Sequence, residues 1–375
     1  MTNVNPTDPK SGYLAYRDEI DEAVRRALES GWYILGNEVA AFEREFAAFI
    51  GVRHAIGVAN GTDAITLALR GIGIAPGDGV ATVGHTAIAT VAAIELTGAI
   101  PVLLDVDHCH GMDPAALEAV LSPSWSGPKV KAVVPVHMYG QAAEITALQS
   151  IADKAGIPIL EDSSHAHGAE WHGKKLGSIG RAGLFSLYPT KNLPAFGDGG
   201  IITTDDDSLA ERLRRLRQYG WGDQPISEIP GCNSRLDELQ AAILRVRLNH
   251  LGEDNGRRQA IAAAYDAALA GLPAKPPIRR SGSTHVFHQY VIELADRDAV
   301  RTALAERGVK TLIHYPVPAH LQPAYRGRLP IAPAGLGNTE RLAKSIVSLP
   351  LYPHLPAASR DHVIASLQAI LSKKG

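Results

Sequence analysis

The chain has two cysteines in 375 residues, Cys109 and Cys232, and with them neither a disulfide framework nor a pair at metal-ligand spacing. They read as unpaired thiols in a reducing compartment. An excess of charge of one sign is also missing. Thirty-seven Lys and Arg against 39 Asp and Glu give −2, so no global field draws the chain to nucleic acid or to a membrane surface. No apolar run approaches the roughly 20 residues of a spanning helix, and the N-terminal MTNVNPTDPK does not read as a signal peptide. Internal repeats and low-complexity segments are absent. What remains is the composition of an ordinary soluble globular protein, expected in the cytoplasm. It is long enough for two domains, or for one large α/β domain with an appendage.

Residues 13–50 read as helical pieces around an apolar loop. Asp18 to Ser30 has helical spacing and ends at Gly31, and Glu38 to Phe49 sets Val39, Phe42, Phe46 and Phe49 on one face. Between them lies SGWYILGN, whose aromatics call for a surface to pack on. From 52 to 205 strand and helix alternate. Strands are expected at His54–Val58, Val80–Val83, Ile100–Leu104, Val130–Pro135 and Ile157–Leu160, with helices at Asp63–Leu69, Ala87–Leu96 and Ile145–Lys154. That pattern predicts an α/β fold with a mostly parallel central sheet and helices on both faces. A basic helix (Ser208–Tyr219), a Gly/Pro-rich loop (Gly220–Cys232) and a long helical region from Ser234 follow. Beyond a turn-rich linker at 271–283 come a strand at Val286–Leu294, a helix at Asp298–Glu306 and a strand at Thr311–Tyr315. The tail, Gly337–Lys373, is helical on either side of an SLPLYP turn. The expected division is a large domain over 1–250 and a smaller α+β domain over 251–375.

The chemistry gathers at strand ends, where ligands of such sheets bind. Arg181 to Asp205 carries an apolar run with Ser186, breaks at Pro189, and delivers Lys191 into a turn bent by Gly197, Gly199 and Gly200. A lysine held between two strands is a candidate buried amine; burial lowers its pKa and makes it a nucleophile toward carbonyls. Asn60-Gly61-Thr62 sits at a strand-to-helix junction, where free N–H groups and the helix dipole favour a phosphate; the same residues also make an ordinary N-cap. Glu161-Asp162 follows the strand IPIL, which puts Asp162 at the carboxyl edge with His165 and His167 close behind. A phosphate cradle, an acid and a hidden amine are what pyridoxal phosphate requires: a lysine for its aldehyde, a carboxylate for its ring nitrogen, and donors for its phosphate.

From about Tyr33 to Tyr352 the sequence resembles the DegT/DnrJ/EryC1/StrS sugar aminotransferases, which have the aspartate-aminotransferase type of fold (fold type I). The motifs that carry the resemblance include YILGNEVAAFEREFA, EDSSHAHGA, FSLYPTKNLPAFGDGG, NSRLDELQAAIL and HYPVPAHLQPAY. The resemblance implies Lys191 as the Schiff-base lysine, Asp162 as the partner of the pyridine nitrogen, and Gly61, Thr62 and Ser186 around the phosphate. It implies His165 beside the cofactor's 3-hydroxyl. Asn233 is implied to reach the cofactor phosphate of a neighbouring subunit, which makes the active unit a homodimer with shared sites. Relatives carry an aromatic after the threonine of a TFxAT-like motif; here Thr86 is followed by Ala87, and His85 is the candidate for stacking on the cofactor ring.

The activity implied is a ping-pong transamination from an amino acid, L-glutamate in most of the family, to a keto-sugar that is usually nucleotide-linked. Arg235 is a candidate for the substrate's anionic groups, against pairing with Asp237 or Glu238 at a helix start. Tyr188, His314 and Tyr315 are candidates for the sugar site, the last two against packing between domains. No metal is expected. The rival readings are a keto-cyclitol acceptor, a pyridoxamine-dependent sugar deoxygenase, and a non-catalytic regulatory relative. The deoxygenases replace the Schiff-base lysine by histidine, whereas Lys191 is present here.

Overall fold

The computed structural model describes residues 3–372. Lys373, the expected end of the helical tail, lies outside the described residues, as do Met1 and Thr2 of the N-terminal segment weighed as a signal peptide. Three helices come first: α1 (Pro9–Ala15), α2 (Arg17–Glu29) and α3 (Asn37–Ile50). The central strands are β1 (His54–Val58), β2 (Gly79–Val83), β3 (Ile100–Leu104), β4 (Val130–Val133) and β5 (Leu160–Asp162). A two-residue hairpin, β6 (Glu170–Trp171) with β7 (Lys174–Lys175), precedes β8 (Ala182–Ser186) and β9 (Gly200–Thr204). Between and after these strands run α4 (Gly61–Gly71), α5 (Ile88–Leu96), α6 (Pro114–Leu121), α7 (Ile145–Ala155) and α8 (Asp207–Leu216).

The strands form two ladders, β1-β9-β8-β5 and β3-β2-β4. Parallel bridges Val133↔Ile159 and Val136↔Asp162 stitch β4 to β5, so the ladders act as one sheet. β9 runs antiparallel to both β1 and β8, and the other pairings are parallel. β2 and β9 are buried at every position, as strands covered by helices on both faces should be.

The C-terminal part comprises α9 (Glu238–Leu269), the antiparallel pair β10 (Tyr290–Glu293) and β11 (Ile346–Leu349), and helices α10 (Arg297–Glu306), α11 (Gly337–Ser345) and α12 (Ala357–Leu371). Residue 250, the expected domain boundary, falls inside α9. The N-terminal half of α9 packs Leu244, Leu248 and Leu251 with Phe42 and Phe46 of α3. Its C-terminal half packs Ile261, Tyr265 and Leu269 with β10, β11 and α12. The two cores therefore meet along one continuous helix, not at a linker. Among the described residues no helix is long and apolar enough to cross a membrane.

Three local expectations are corrected, and one helix was not expected at all. The strand expected at Ile157–Leu160 lies later, at Leu160–Asp162, and extends through two carboxylates that are themselves buried. Thr311–Tyr315 is not a strand but a single bridge from Leu312 to Ser348, after which His314 and Tyr315 take up side-chain contacts instead of a ladder. The start of the SLPLYP turn belongs to β11, because Ser348 and Leu349 pair with β10. Helix α6 went unanticipated, although Asp113-Pro114 marks its start: the Asp113 carboxylate accepts from Ala115 N, and proline suits the first turn.

The burial of Glu161 is made possible by its hydrogen bonds. Its carboxylate accepts from the backbone N–H of Gly177 (2.9 Å), Ile179 (2.8 Å) and Gly180 (2.7 Å), and from His137 Nε2 (3.0 Å). His137 Nδ1 accepts from Ala143 N, which places the ring proton on Nε2 facing Glu161. Burial alone would push the Glu161 carboxyl up. The hydrogen bonds from His137, Gly177 and Gly180 outweigh that and hold it below the ordinary value.

Candidate active site

At the carboxyl edge of the sheet lies a cavity of about 310 Å³ whose walls include Gly61, Thr62, Asp162, His165, Ser186 and Lys191. Tyr188, His314 and Tyr315 also line it. These residues arrive from four places, the β1–α4 junction, the end of β5, the end of β8 with its connection to β9, and the segment between α10 and α11, so the site is a product of the fold.

The β1–α4 junction is both of the things its sequence allowed. Asn60 is extended and its Oδ1 accepts from Asp63 N (2.8 Å), an N-cap. The N–H groups of Gly61 and Thr62 still have no intrahelical acceptor, which makes the start of this eleven-residue helix an anion site. Gly61 is required sterically, since a Cβ there would stand 2.6 Å from Ser186 Cβ. Only glycine lets the helix start come this close to the Ser186 hydroxyl. The cradle therefore fits the phosphate of pyridoxal phosphate: helix N–H groups on one side, hydroxyls of Thr62 and Ser186 on the other.

Asp162 is 4% exposed. Its Oδ1 accepts from Ser164 N (3.2 Å) and its Oδ2 from Thr90 Oγ1 (2.9 Å). Thr90 also lies 3.0 Å from Thr86 Oγ1. With its single proton given to Asp162, Thr90 must accept from Thr86, so the two hydroxyls form a directed chain ending on the carboxylate. Held in this way, Asp162 is an acceptor fitted to a protonated ring nitrogen.

Lys191 follows the Pro189-Thr190 turn, with its backbone N–H on Tyr188 O (2.9 Å). It makes no side-chain hydrogen bond or ion pair among the described residues. Burial pushes its amine down to about 8, and Asp162 works against that shift. An amine near 8 is about a tenth neutral at pH 7, roughly 200-fold more than an ordinary lysine, which leaves a usable share as nucleophile and proton carrier.

His165 accepts from Tyr139 N on Nδ1 (3.4 Å) and lies 3.4 Å from the Tyr315 hydroxyl through Nε2. Burial first, then Lys191, holds it well below the usual imidazole value, so it is neutral. His314 shares a hydrogen bond with Ser348 Oγ (2.8 Å) and is pushed down to about 4 by burial and by Lys191.

His85 is absent from the cavity wall. It is buried against Tyr139, with Nε2 2.6 Å from the phenol oxygen, and its place at the wall is taken by Thr86 and Ala87. A stacking role for His85 is not what this geometry provides. Asn233 and Arg235 lie in a separate hollow of about 520 Å³ that meets the first at Asp198. Arg235 packs its guanidinium over the Tyr219 ring (6.0 Å) and pairs with neither Asp237 nor Glu238. Glu238 instead accepts from the N–H groups of Gly36, Glu38 and Val39 at the start of α3 (each 2.8 Å).

Sequence reasoning missed Thr86, Thr90, Ser164, Asp198, His288 and Gln289, all on the cavity wall. Thr86 and Thr90 carried a usable signal: hydroxyls four apart at a helix start share a face.

A mixed α/β sheet with this lysine, carboxylate and phosphate cradle at its carboxyl edge is that of a pyridoxal-phosphate-dependent aminotransferase. Residues 15–368 match the model of the DegT/DnrJ/EryC1/StrS aminotransferase family, and the chain belongs to that family. It is 45% identical to the dTDP-3-amino-3,4,6-trideoxy-α-D-glucose transaminase of Streptomyces venezuelae over 96% of this chain and 94% of that protein. The crystal structure of S. venezuelae DesV in complex with a ketimine intermediate superimposes with a TM-score of 0.94, at 44% identity, covering 99% of each chain. NtdA from Bacillus subtilis with bound cofactor PMP gives a TM-score of 0.90 at 27% identity, covering 99% of this chain and 86% of that one.

Two predictions follow from the site. Asp162→Asn keeps the shape and removes the charge, and turnover is expected to fall at least about tenfold, one decade per 1.36 kcal/mol of barrier. Steady-state rates at saturating substrate decide it, and near wild-type turnover would transfer the role to another residue. The second concerns pH. The folded pKa of Lys191 is lowered from the ordinary lysine value, so in cofactor-free protein the buried ammonium costs stability below about pH 8, and the cost is relieved as pH rises toward roughly 10. Labelling of Lys191 by pyridoxal phosphate, trapped with borohydride and mapped by peptide mass, is expected to accelerate through about pH 8 and then level off. An increase continuing to roughly pH 10 would mark an ordinary solvated lysine.

Proposed function

We propose that this chain moves an amino group from L-glutamate to the keto carbon of a nucleotide-linked deoxysugar, in two half-reactions on one bound pyridoxal phosphate. The observation that carries the reading is the Lys191–Asp162 cavity at the sheet edge, found in a chain 45% identical to a transaminase named for a dTDP-linked 3-aminosugar. Pyridoxal phosphate, when bound, supplies an aldehyde that takes up the amine and a ring that withdraws electrons from the carbon losing its proton.

The rest is done by this chain's residues. Gly61, Thr62 and Ser186 hold the phosphate. Asp162, fixed by Thr90 and Ser164, holds the ring nitrogen's proton in place. Lys191, once its amine is free, takes the proton from the donor's α-carbon and carries it within the cavity. His165, His314 and Tyr315, neutral under their own burial, close the wall without adding formal charge beside Lys191. Tyr188, half exposed at the mouth, faces the acceptor sugar. The reading places the enzyme in the cytoplasm, with no nucleic acid or membrane partner.

A panel of dTDP- and UDP-linked keto-deoxysugars, with glutamate as donor, tests it. Aminated dTDP-sugar and 2-oxoglutarate are expected in equal amounts. Amination of a keto-inositol with no nucleotide sugar accepted would favour the cyclitol reading, and loss of oxygen from the sugar would favour the deoxygenase.

The proposal includes a homodimer. Asn233 and Arg235 sit in their own hollow beside Ile34, next to Trp32 (65%) and Tyr33 (51%), aromatic surface that a lone chain leaves exposed. A second copy covering this face would bring that hollow's polar groups to the neighbouring cofactor. Mixing Lys191→Ala with Asn233→Ala chains, each nearly inactive alone, is then expected to restore about a quarter of all sites, since about half the dimers are mixed and each has one intact site. No recovery, with mixed dimers demonstrated, would place Asn233 in its own chain's site.

A further inference from the structure

A second cavity, of about 140 Å³, adjoins the catalytic one and shares with it Thr190, Lys191, His288, Gln289 and His314. Part of its wall is the N-terminal segment from Pro6 to Gly12, and part is the face of α9 that carries Arg247 and Arg258. These arginines are 4% and 5% exposed. Arg247 donates to Gly12 O (2.7 Å) and lies 3.4 Å from Asp254, and its Nε has no acceptor. Arg258 reaches only backbone carbonyls, those of Phe287, His288 and Leu351, through Nη1 at 3.2 to 3.3 Å. Its Nε is buried without an acceptor, and no carboxylate lies within ion-pairing distance of it among the described residues.

The nearby acids do not supply what is missing. Asp254 is shared among Arg247, Arg257 (3.6 Å), His354 (3.5 Å) and the Tyr16 hydroxyl (2.8 Å). Asp8, half buried on the cavity wall, is engaged with Ser11 N (3.3 Å) at the start of α1. Burial pushes the Arg258 guanidinium down to about 10 against the pull of Asp254. A buried cation with no counterion is costly, and a cavity that presents one beside the reactive lysine is built for an anion. The volume is suited to a small organic acid and too small for a nucleotide-linked sugar.

We propose that this cavity is the carboxylate site for the amino donor, with Arg258 and Arg247 holding an acid group of a small dicarboxylate while its amine reaches Lys191. The assignment rests on the aminotransferase reading above and deepens it. Donor and acceptor then approach one lysine from two adjoining cavities: the small cationic one fixes the acid, and the larger one takes the sugar. Arginine suits the role because its planar fork matches a carboxylate with two parallel hydrogen bonds.

The two half-reactions of the holoenzyme, run separately, test it. In Arg258→Met the glutamate concentration for half-maximal single-turnover release of 2-oxoglutarate is expected to rise at least about tenfold, with about the loss typical of a truncated buried charge partner. The keto-sugar half-reaction of the pyridoxamine-loaded variant should stay within about twofold of wild type, and Arg258→Lys should recover part of the glutamate affinity. Equal losses in both half-reactions, or an unchanged glutamate dependence, would overturn the assignment. Should Arg258→Met fail to fold, wild-type holoenzyme decides: succinate is expected to slow the glutamate half-reaction and leave the keto-sugar half-reaction, run without glutamate, unchanged. Inhibition of both would overturn it. A failure of the sugar reading is separable, because 2-oxoglutarate should still raise the melting temperature of the wild-type holoenzyme with no sugar present. Absence of that shift would overturn the carboxylate site itself.

Discussion

The geometry of the candidate site depends on one buried carboxylate that lies off the cavity wall, Glu161. Glu161 ties the loop after β4, through His137, to the Gly177–Gly180 turn before β8, using four hydrogen bonds. Asp162 is its neighbour, and its own backbone is fixed on both sides, N–H on Pro135 O (2.9 Å) and C=O on His137 N (3.0 Å). Along a strand successive side chains face opposite sides of the sheet. The Glu161 side chain therefore anchors one face of the strand end, and Asp162 is presented rigidly on the other. A carboxylate that is to orient a ligand needs to be fixed to a fraction of an ångström, and the neighbouring Glu161 provides that restraint from the other face of the strand.

The second organising feature is the economy of charge around Lys191. His314 is pushed down to about 4, and His165 and His288 lie well below the usual imidazole range, in every case with burial as the leading cause. The imidazoles nearest the lysine are thus neutral donors and acceptors, and the formal charges facing one another across the larger cavity are the amine of Lys191 and the carboxylates of Asp162 and Asp198. The smaller cavity reverses the balance with Arg247 and Arg258. One lysine therefore stands between a wall that carries Asp162 and Asp198 and a wall that carries Arg247 and Arg258.

Much of this was legible in the sequence, for physical reasons that also mark where legibility ended. Alternating apolar runs and helix starts gave the sheet, because strands buried on both faces read as continuous hydrophobic runs. That Asp162, Lys191 and Gly61 would come to one edge of the sheet was legible because chemistry in such sheets collects at strand ends and at strand-to-helix junctions. The bond from Thr90 to Asp162 was not legible, since the two lie 72 residues apart and only the folded sheet brings them together. His85 misled because its neighbours in sequence line the cavity while its own side chain turns inward to Tyr139. Arg258 offered nothing to pattern reading either: a basic residue on a long helix reads as a solvated face until its burial is known.

The position of Lys191 follows from the one strand that breaks the parallel pattern. A parallel successor to β8 would require a crossover through a helix, returning the chain at the opposite edge of the sheet. Because β9 runs back antiparallel beside β8, the connection between them stays at the carboxyl edge, where Asp162 already stands. That connection is clamped at its base, with Leu187 N–H on Gly199 O (2.8 Å) and Ala195 N–H on Leu187 O (2.7 Å). Its apolar residues, Leu187, Leu193 and Ala195, are buried in the core shared with α3 and α9. A loop anchored through its apolar side chains and its own backbone hydrogen bonds can present a single polar side chain with little freedom to move away. The reversal of β9 is thus what places the amine opposite the carboxylate, and the burial of the loop is what lowers its pKa to a working value.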